Sequence, residues 1–176
     1  MAGTLRVAII GAGYFSQFHV QAWTTMDAVA EVFLCDRDEA RARALGGRFG
    51  VTRIDTSAER MLAEVNADLV DIVTPPQTHL ELAQLACRHG LPMVCQMVCQ
   101  KVCQKALAPT FEEARQIVEI AEAATLPLIV HENFRWTWGV ESGNRPRRGQ
   151  FLPHSQAHSL AMGQVGGEKW IAAADL

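Results

Sequence analysis

Gly11-Ala12-Gly13-Tyr14-Phe15-Ser16 sets two glycines and a third small residue at the spacing that brings backbone N–H groups to a pyrophosphate. The first glycine permits a tight turn, the second lets phosphates approach the main chain, and Ser16 keeps a helix close to its strand. Phosphates held there meet a helix N-terminus, where free N–H groups and the helix dipole favour anions. Tyr14 and Phe15 directly follow the second glycine and count with it as candidate binding residues. Asp36 lies 23 residues beyond Gly13, where a carboxylate accepts from a ribose 2′-hydroxyl and favours NAD. Arg37 beside it suits a 2′-phosphate, so NADP stays open. The same residues also allow a plainer reading, a tight turn followed by a helix cap.

The elements that must position this loop alternate from the start. Leu5 to Ile10 is a short apolar run ending at Gly11, as a buried parallel strand should be. A helix is expected from about Tyr14 to Thr24, a second strand over Val32–Cys35, and a helix over Asp38–Phe49 ending near Gly50. Thr56/Glu59, Thr78/Glu81 and Thr110/Glu113 each pair a hydroxyl with a carboxylate three residues on, the pattern of a reciprocal helix cap. Between them run Leu69–Val73, a stretch from Pro92, and Leu128–Val130, all of strand length. The last helix, Thr110–Ala123, is read with Phe111, Ala114, Val118 and Ala121 on one face. This order predicts an α/β fold, a doubly wound parallel sheet of the Rossmann type. After Trp136 no sustained period continues, and residues 137–176 are expected to be weakly structured.

The chain has 176 residues, 49% of them hydrophobic and 20% charged, enough apolar matter for one core. A net charge of −3 gives no electrostatic attraction for nucleic acid, and no run is long enough for a membrane span. Five cysteines without a secretory start are expected to be reduced thiols in a cytoplasmic protein. Cys95, Cys99 and Cys103 recur every fourth residue, unlike the paired spacings of zinc or iron–sulfur sites, so no metal is expected. His19 faces either a ligand or the core.

With these residues in place the chain resembles the Gfo/Idh/MocA family of oxidoreductases. Five segments run in family order over residues 5–136: Ala8–Gly13 with His19, Cys35-Asp36-Arg37, Asp71–His79, Lys105–Thr110 and His131–Trp136. The resemblance implies an NAD(P)-dependent oxidoreductase acting on a sugar, cyclitol or related hydroxyl compound. It puts Thr74, Pro75, Pro76 and His79 along the nicotinamide side of the cofactor pocket, with Gln104 and the catalytic Lys105 beside the ring and the substrate hydroxyl.

Three departures bear on activity. The family's Glu-Lys-Pro signature reads Gln104-Lys105-Ala106. A repeat, Met93–Gln96, Met97–Gln100, Lys101–Gln104, inserts eight residues before it, two extra copies of a four-residue unit. An even insertion keeps strand alternation in phase but can displace Lys105. The family's second, substrate domain has no counterpart, and the sequence past Trp136 reads like a frame change or truncation. Residues 1–131 are therefore expected to form the NAD(P)-binding domain and 132–176 an incomplete remnant of the substrate domain. Two functions stay open: a working oxidoreductase domain, or a non-catalytic NAD(P)-binding remnant. A sugar-like small molecule is the expected partner if the chain is active, and the uncovered apolar surface left by a missing domain makes homo-oligomer formation a further expectation.

Overall fold

A computed structural model describes residues 5–96 and 107–131. Residues 1–4, 97–106 and 132–176 lie outside that description, and with them the expectations for Gln104, Lys105, the second and third copies of the repeat, and the tail. By internal contacts the chain divides into Met1–Ile129 and Val130–Leu176.

The strands are β1 (Leu5–Ile10), β2 (Val29–Cys35), β3 (Arg53–Asp55), β4 (Leu69–Ile72), β5 (Met93–Gln96) and β6 (Leu128–His131). The helices are α1 (Ser16–Thr25), α2 (Glu39–Phe49), α3 (Ala58–Glu64), α4 (His79–Arg88) and α5 (Phe111–Ala123), with a 3-10 turn at Pro76–Thr78. The sheet order is β3-β2-β1-β4-β5-β6, and the registered pairs are parallel. The order reverses between β1 and β4, which opens a crevice at their carboxyl ends where a doubly wound sheet takes its ligand.

Burial explains why the apolar runs read as strands. Val7, Ala8, Ile9, Leu34, Val70, Ile72 and Met93 have no exposed surface, as expected where both faces of a parallel sheet are covered. Phe33, Cys35, Val70, Ile72 and Cys95 pack with Met61, Ala86 and Ile117 in one cluster, which seats α3, α4 and α5 on a common face.

Several boundaries differ from the sequence reading. β3 was not anticipated: Arg53-Ile54-Asp55 is a three-residue edge strand, too short and too polar to show a period. β2 begins at Val29, three residues earlier than expected. Of the three cap patterns, Thr110 and Glu113 form the full reciprocal box. At α3 the cap is Ser57 rather than Thr56, its hydroxyl accepting from Arg60 N–H at 3.2 Å. At α4, Thr78 makes no side-chain cap, because its hydroxyl turns back to Thr74 Oγ1 at 2.7 Å and the Pro75 carbonyl at 2.9 Å. On α5 the core residues are Ile117 and Ala121, while Phe111 is 83% exposed at the helix's first position.

Candidate functional site

The glycine loop lies where β1 ends between β2 and β4. Gly11 N–H donates to the Cys35 carbonyl at 2.7 Å, and Val73 N–H donates to the Ile10 carbonyl at 2.8 Å. Gly11 has φ +110°, and a Cβ built there falls 2.3 Å from the Val73 carbonyl oxygen. Position 11 therefore admits no side chain, for both conformation and space. Gly13 differs: no atom lies within 4 Å of its would-be Cβ, so the main chain is open on that side. α1 then begins without a side-chain cap or an acidic residue in its first turn, whereas Asp38, Ser57 and Thr110 cap α2, α3 and α5. An open glycine and an uncapped helix start are what a pyrophosphate requires. Ser16, the third small residue, is fully buried, and its hydroxyl has no hydrogen-bond partner.

Asp36 sits at the rim of this loop with its carboxylate fixed at both oxygens. Oδ2 accepts Ala12 N–H at 2.7 Å and Oδ1 accepts Asp38 N–H at 2.9 Å. Each oxygen keeps a lone pair for a further donor. Arg37 is exposed. Tyr14 is 74% exposed, and its ring meets Phe15 and Phe18 edge-on at centroid distances of 5.4 and 5.9 Å.

The opposite wall is the turn that follows β4. Thr74 and Pro76 are half-buried and Pro75 is exposed. The hydroxyl contacts of Thr78 hold this turn closed on itself. His79, anticipated as a cofactor contact, has no exposed surface, and both ring nitrogens face backbone carbonyls, those of Leu107 and Thr74. It shapes the wall and has no nitrogen left over to offer a ligand.

Beneath the loop lies a polar group that motif reading passed over. Asp71 on β4 is fully buried, and its Oδ2 accepts from Trp23 Nε1 at 2.6 Å and lies 2.8 Å from His19 Nδ1. His19, whose side chain is 11% exposed, joins α1 to β4 through this contact. A carboxylate inside an apolar strand run, with His and Trp one helical turn apart, was the available signal.

Two hollows border β2 and β3, one floored by Phe33 and Met61 and the other by Val32 and Val51; neither includes a residue of the sites above. Cys35 and Cys95 are buried, and burial above all pushes each thiol up to about 12, helped by Asp55 and Asp36 at Cys35 and by Asp71 at Cys95. Among the described residues no group of three or more His, Cys, Asp or Glu side chains is arranged to hold a metal ion, and no helix is long and apolar enough to cross a membrane.

Residues 5–132 match the oxidoreductase family with an NAD-binding Rossmann fold. This chain belongs to the Gfo/Idh/MocA family. Among relatives, it is 40% identical over 141 residues to a D-apiose dehydrogenase of Paraburkholderia graminis, a match covering 80% of this chain and 36% of the relative. An oxidoreductase from Agrobacterium radiobacter, solved in complex with NAD+, L-tartaric acid and magnesium, superposes with a TM-score of 0.67 at 35% identity, over 76% of this chain and 36% of that one. The WlbA dehydrogenase of Chromobacterium violaceum, solved with NADH and UDP-GlcNAcA, gives 0.66 at 27% identity, over the same shares of 76% and 36%. The chain thus spans just over a third of the length of these family members. Its matched portion is the family's NAD-binding domain.

Proposed function

We propose that residues 1–131 are the cofactor-binding part of an oxidoreductase that moves a hydride between NAD and a carbon bearing a hydroxyl or carbonyl group on a sugar-like compound. The observation that carries this reading is the contact of Asp36 with Ala12: it fixes a carboxylate at the rim of an open glycine loop. Bound there, the nicotinamide supplies the hydride chemistry, and the chain contributes position and electrostatics. Gly11, Gly13 and the start of α1 take the pyrophosphate, with Tyr14 and Phe15 at its edge. Asp36 takes the adenosine ribose, and its charge opposes a 2′-phosphate, which favours NAD over NADP; the exposed Arg37 works the other way. Thr74, Pro75 and Pro76 wall the nicotinamide side. Lys105 is the proposed catalytic group, donating to the substrate oxygen and relaying its proton, with Gln104 beside it.

A second reading, a non-catalytic NAD(P)-binding remnant, draws support from one observation: Gln104-Lys105-Ala106 stands where the family carries Glu-Lys-Pro. Calorimetry with NADH and NADPH tests the shared part. Saturable binding that favours NADH, and loses that preference in Asp36→Ala, supports it; a folded protein that binds neither dinucleotide overturns it. Turnover on a panel of sugars and cyclitols that disappears in Lys105→Met then separates enzyme from remnant.

A further inference from the structure

His79 begins α4 with an imidazole that has no solvent-exposed surface. Its Nδ1 lies 2.8 Å from the Leu107 carbonyl oxygen and its Nε2 lies 2.8 Å from the Thr74 carbonyl oxygen. A carbonyl oxygen accepts and never donates, whereas a neutral imidazole carries one N–H. Either neutral tautomer therefore satisfies one carbonyl and aims a ring lone pair at the other, in a place where water cannot intervene. Turning the ring over replaces both nitrogens with carbons and leaves neither carbonyl a donor. The doubly protonated ring donates to both.

We infer that His79 is held as an imidazolium, and that this buried cation is a staple between the two segments flanking the nicotinamide side of the site. One arm grips the turn after β4 at Thr74. The other grips the chain at Leu107, two residues past Lys105. The second attachment is firm, because Leu107 packs against the core, Ala108 is 1% exposed and Thr110 closes the capping box two residues on. Burying a cation is costly, and a helix N-terminus disfavours it. Two charge-assisted hydrogen bonds, to the Thr74 and Leu107 carbonyls, oppose that cost. His79 is in this sense a positioning residue: it touches no reacting atom but ties Leu107 to the turn at Thr74. That functional meaning rests on the cofactor reading above, whereas the protonation state does not.

The test begins with the unaltered full chain, free of cofactor, labelled with 15N and studied at pH 7.5. Long-range proton–nitrogen correlations of the ring, assigned through the Cβ–Cδ2 connection, should show both His79 nitrogens at protonated shifts. A pyridine-type shift at either nitrogen overturns the inference. In His79→Gln with helical content intact, NADH affinity should fall roughly tenfold, the size of about one lost hydrogen bond; unchanged affinity overturns the positioning role. If that variant does not fold, the spectrum of the unaltered protein still decides the protonation state. Two protonated nitrogens in a protein that binds no NADH would instead reject the cofactor reading and leave the imidazolium standing.

Discussion

Trp23 Nε1 donates to Asp71 Oδ2 at 2.6 Å, joining the helix that follows the glycine loop to the strand that ends at the opposite wall of the site. The same oxygen faces His19 Nδ1 at 2.8 Å, so one carboxylate on β4 reaches two positions one turn apart on α1. Its other oxygen, Oδ1, has no partner, which makes the cluster dependent on the bonds at Oδ2. Trp23→Phe keeps an aromatic ring but removes a donor to a buried carboxylate, and should cost about 2–4 kcal/mol of stability. Urea unfolding monitored by circular dichroism checks this; a loss below about 0.5 kcal/mol would mean that the contact carries no weight.

The two loop glycines should respond differently to substitution. Gly11→Ala drives a Cβ to 2.3 Å from the Val73 carbonyl oxygen at a backbone angle that L residues avoid, and should destabilise by more than about 3 kcal/mol. A Cβ at Gly13 meets no neighbouring atom, so in Gly13→Val stability should stay within about 1 kcal/mol while NADH affinity falls at least about tenfold. Paired denaturation and calorimetry read both effects. A Gly13→Val protein that still binds NADH normally would remove the loop from the site.

Ser16 offers a gain. Its buried hydroxyl is unpartnered, so Ser16→Ala removes a desolvated group and should stabilise by about 1 kcal/mol. For a chain of this size that is a rise of roughly 2–4 °C in Tm. A fall in Tm would show that the hydroxyl has a role that its surroundings conceal.

Acid should weaken the fold through two carboxylates in particular. The hydrogen bond from Arg60 holds Asp55 below its ordinary value, and that from Arg6 does the same for Asp68. A group lowered in the folded state stabilises it above the unfolded carboxylate value, near pH 4, and that contribution fades as pH drops through the lower folded value. Asp55→Asn should therefore flatten the loss of stability between pH 4 and the acid limit; equal slopes for variant and parent would count against the pairing. Both arginines are substantially exposed, so the effect is screened by salt and should shrink at high ionic strength.

Sequence reading captured what local chemistry determines. The glycine loop, the apolar runs of β1 and β4, Asp38–Gly50 and the Thr110–Glu113 box all depend on neighbours within a few residues. It failed where tertiary context decides. Arg53–Asp55 becomes a strand because Phe33, Leu34 and Cys35 pair with it, not from any period of its own. Thr78 looks like a cap, but the Pro75-Pro76 turn redirects its hydroxyl to Thr74. His79 reads as a ligand contact because it closes a motif, yet its nitrogens are engaged by carbonyls 5 and 28 residues away. Asp71 meets partners 48 and 52 residues upstream, a distance that motif spacing does not register.

The two thiols raised to about 12 also turn the sheet into its own gauge. Cys35 and Cys95 end or line strands on either side of the central pair, buried and almost wholly protonated at neutral pH. Alkylating reagents attack the thiolate, so neither residue should be modified until its strand separates from its neighbours. Peptide-resolved labelling rates at these two positions would then report separately how often each half of the sheet opens, and whether a bound dinucleotide slows one half, the other, or both.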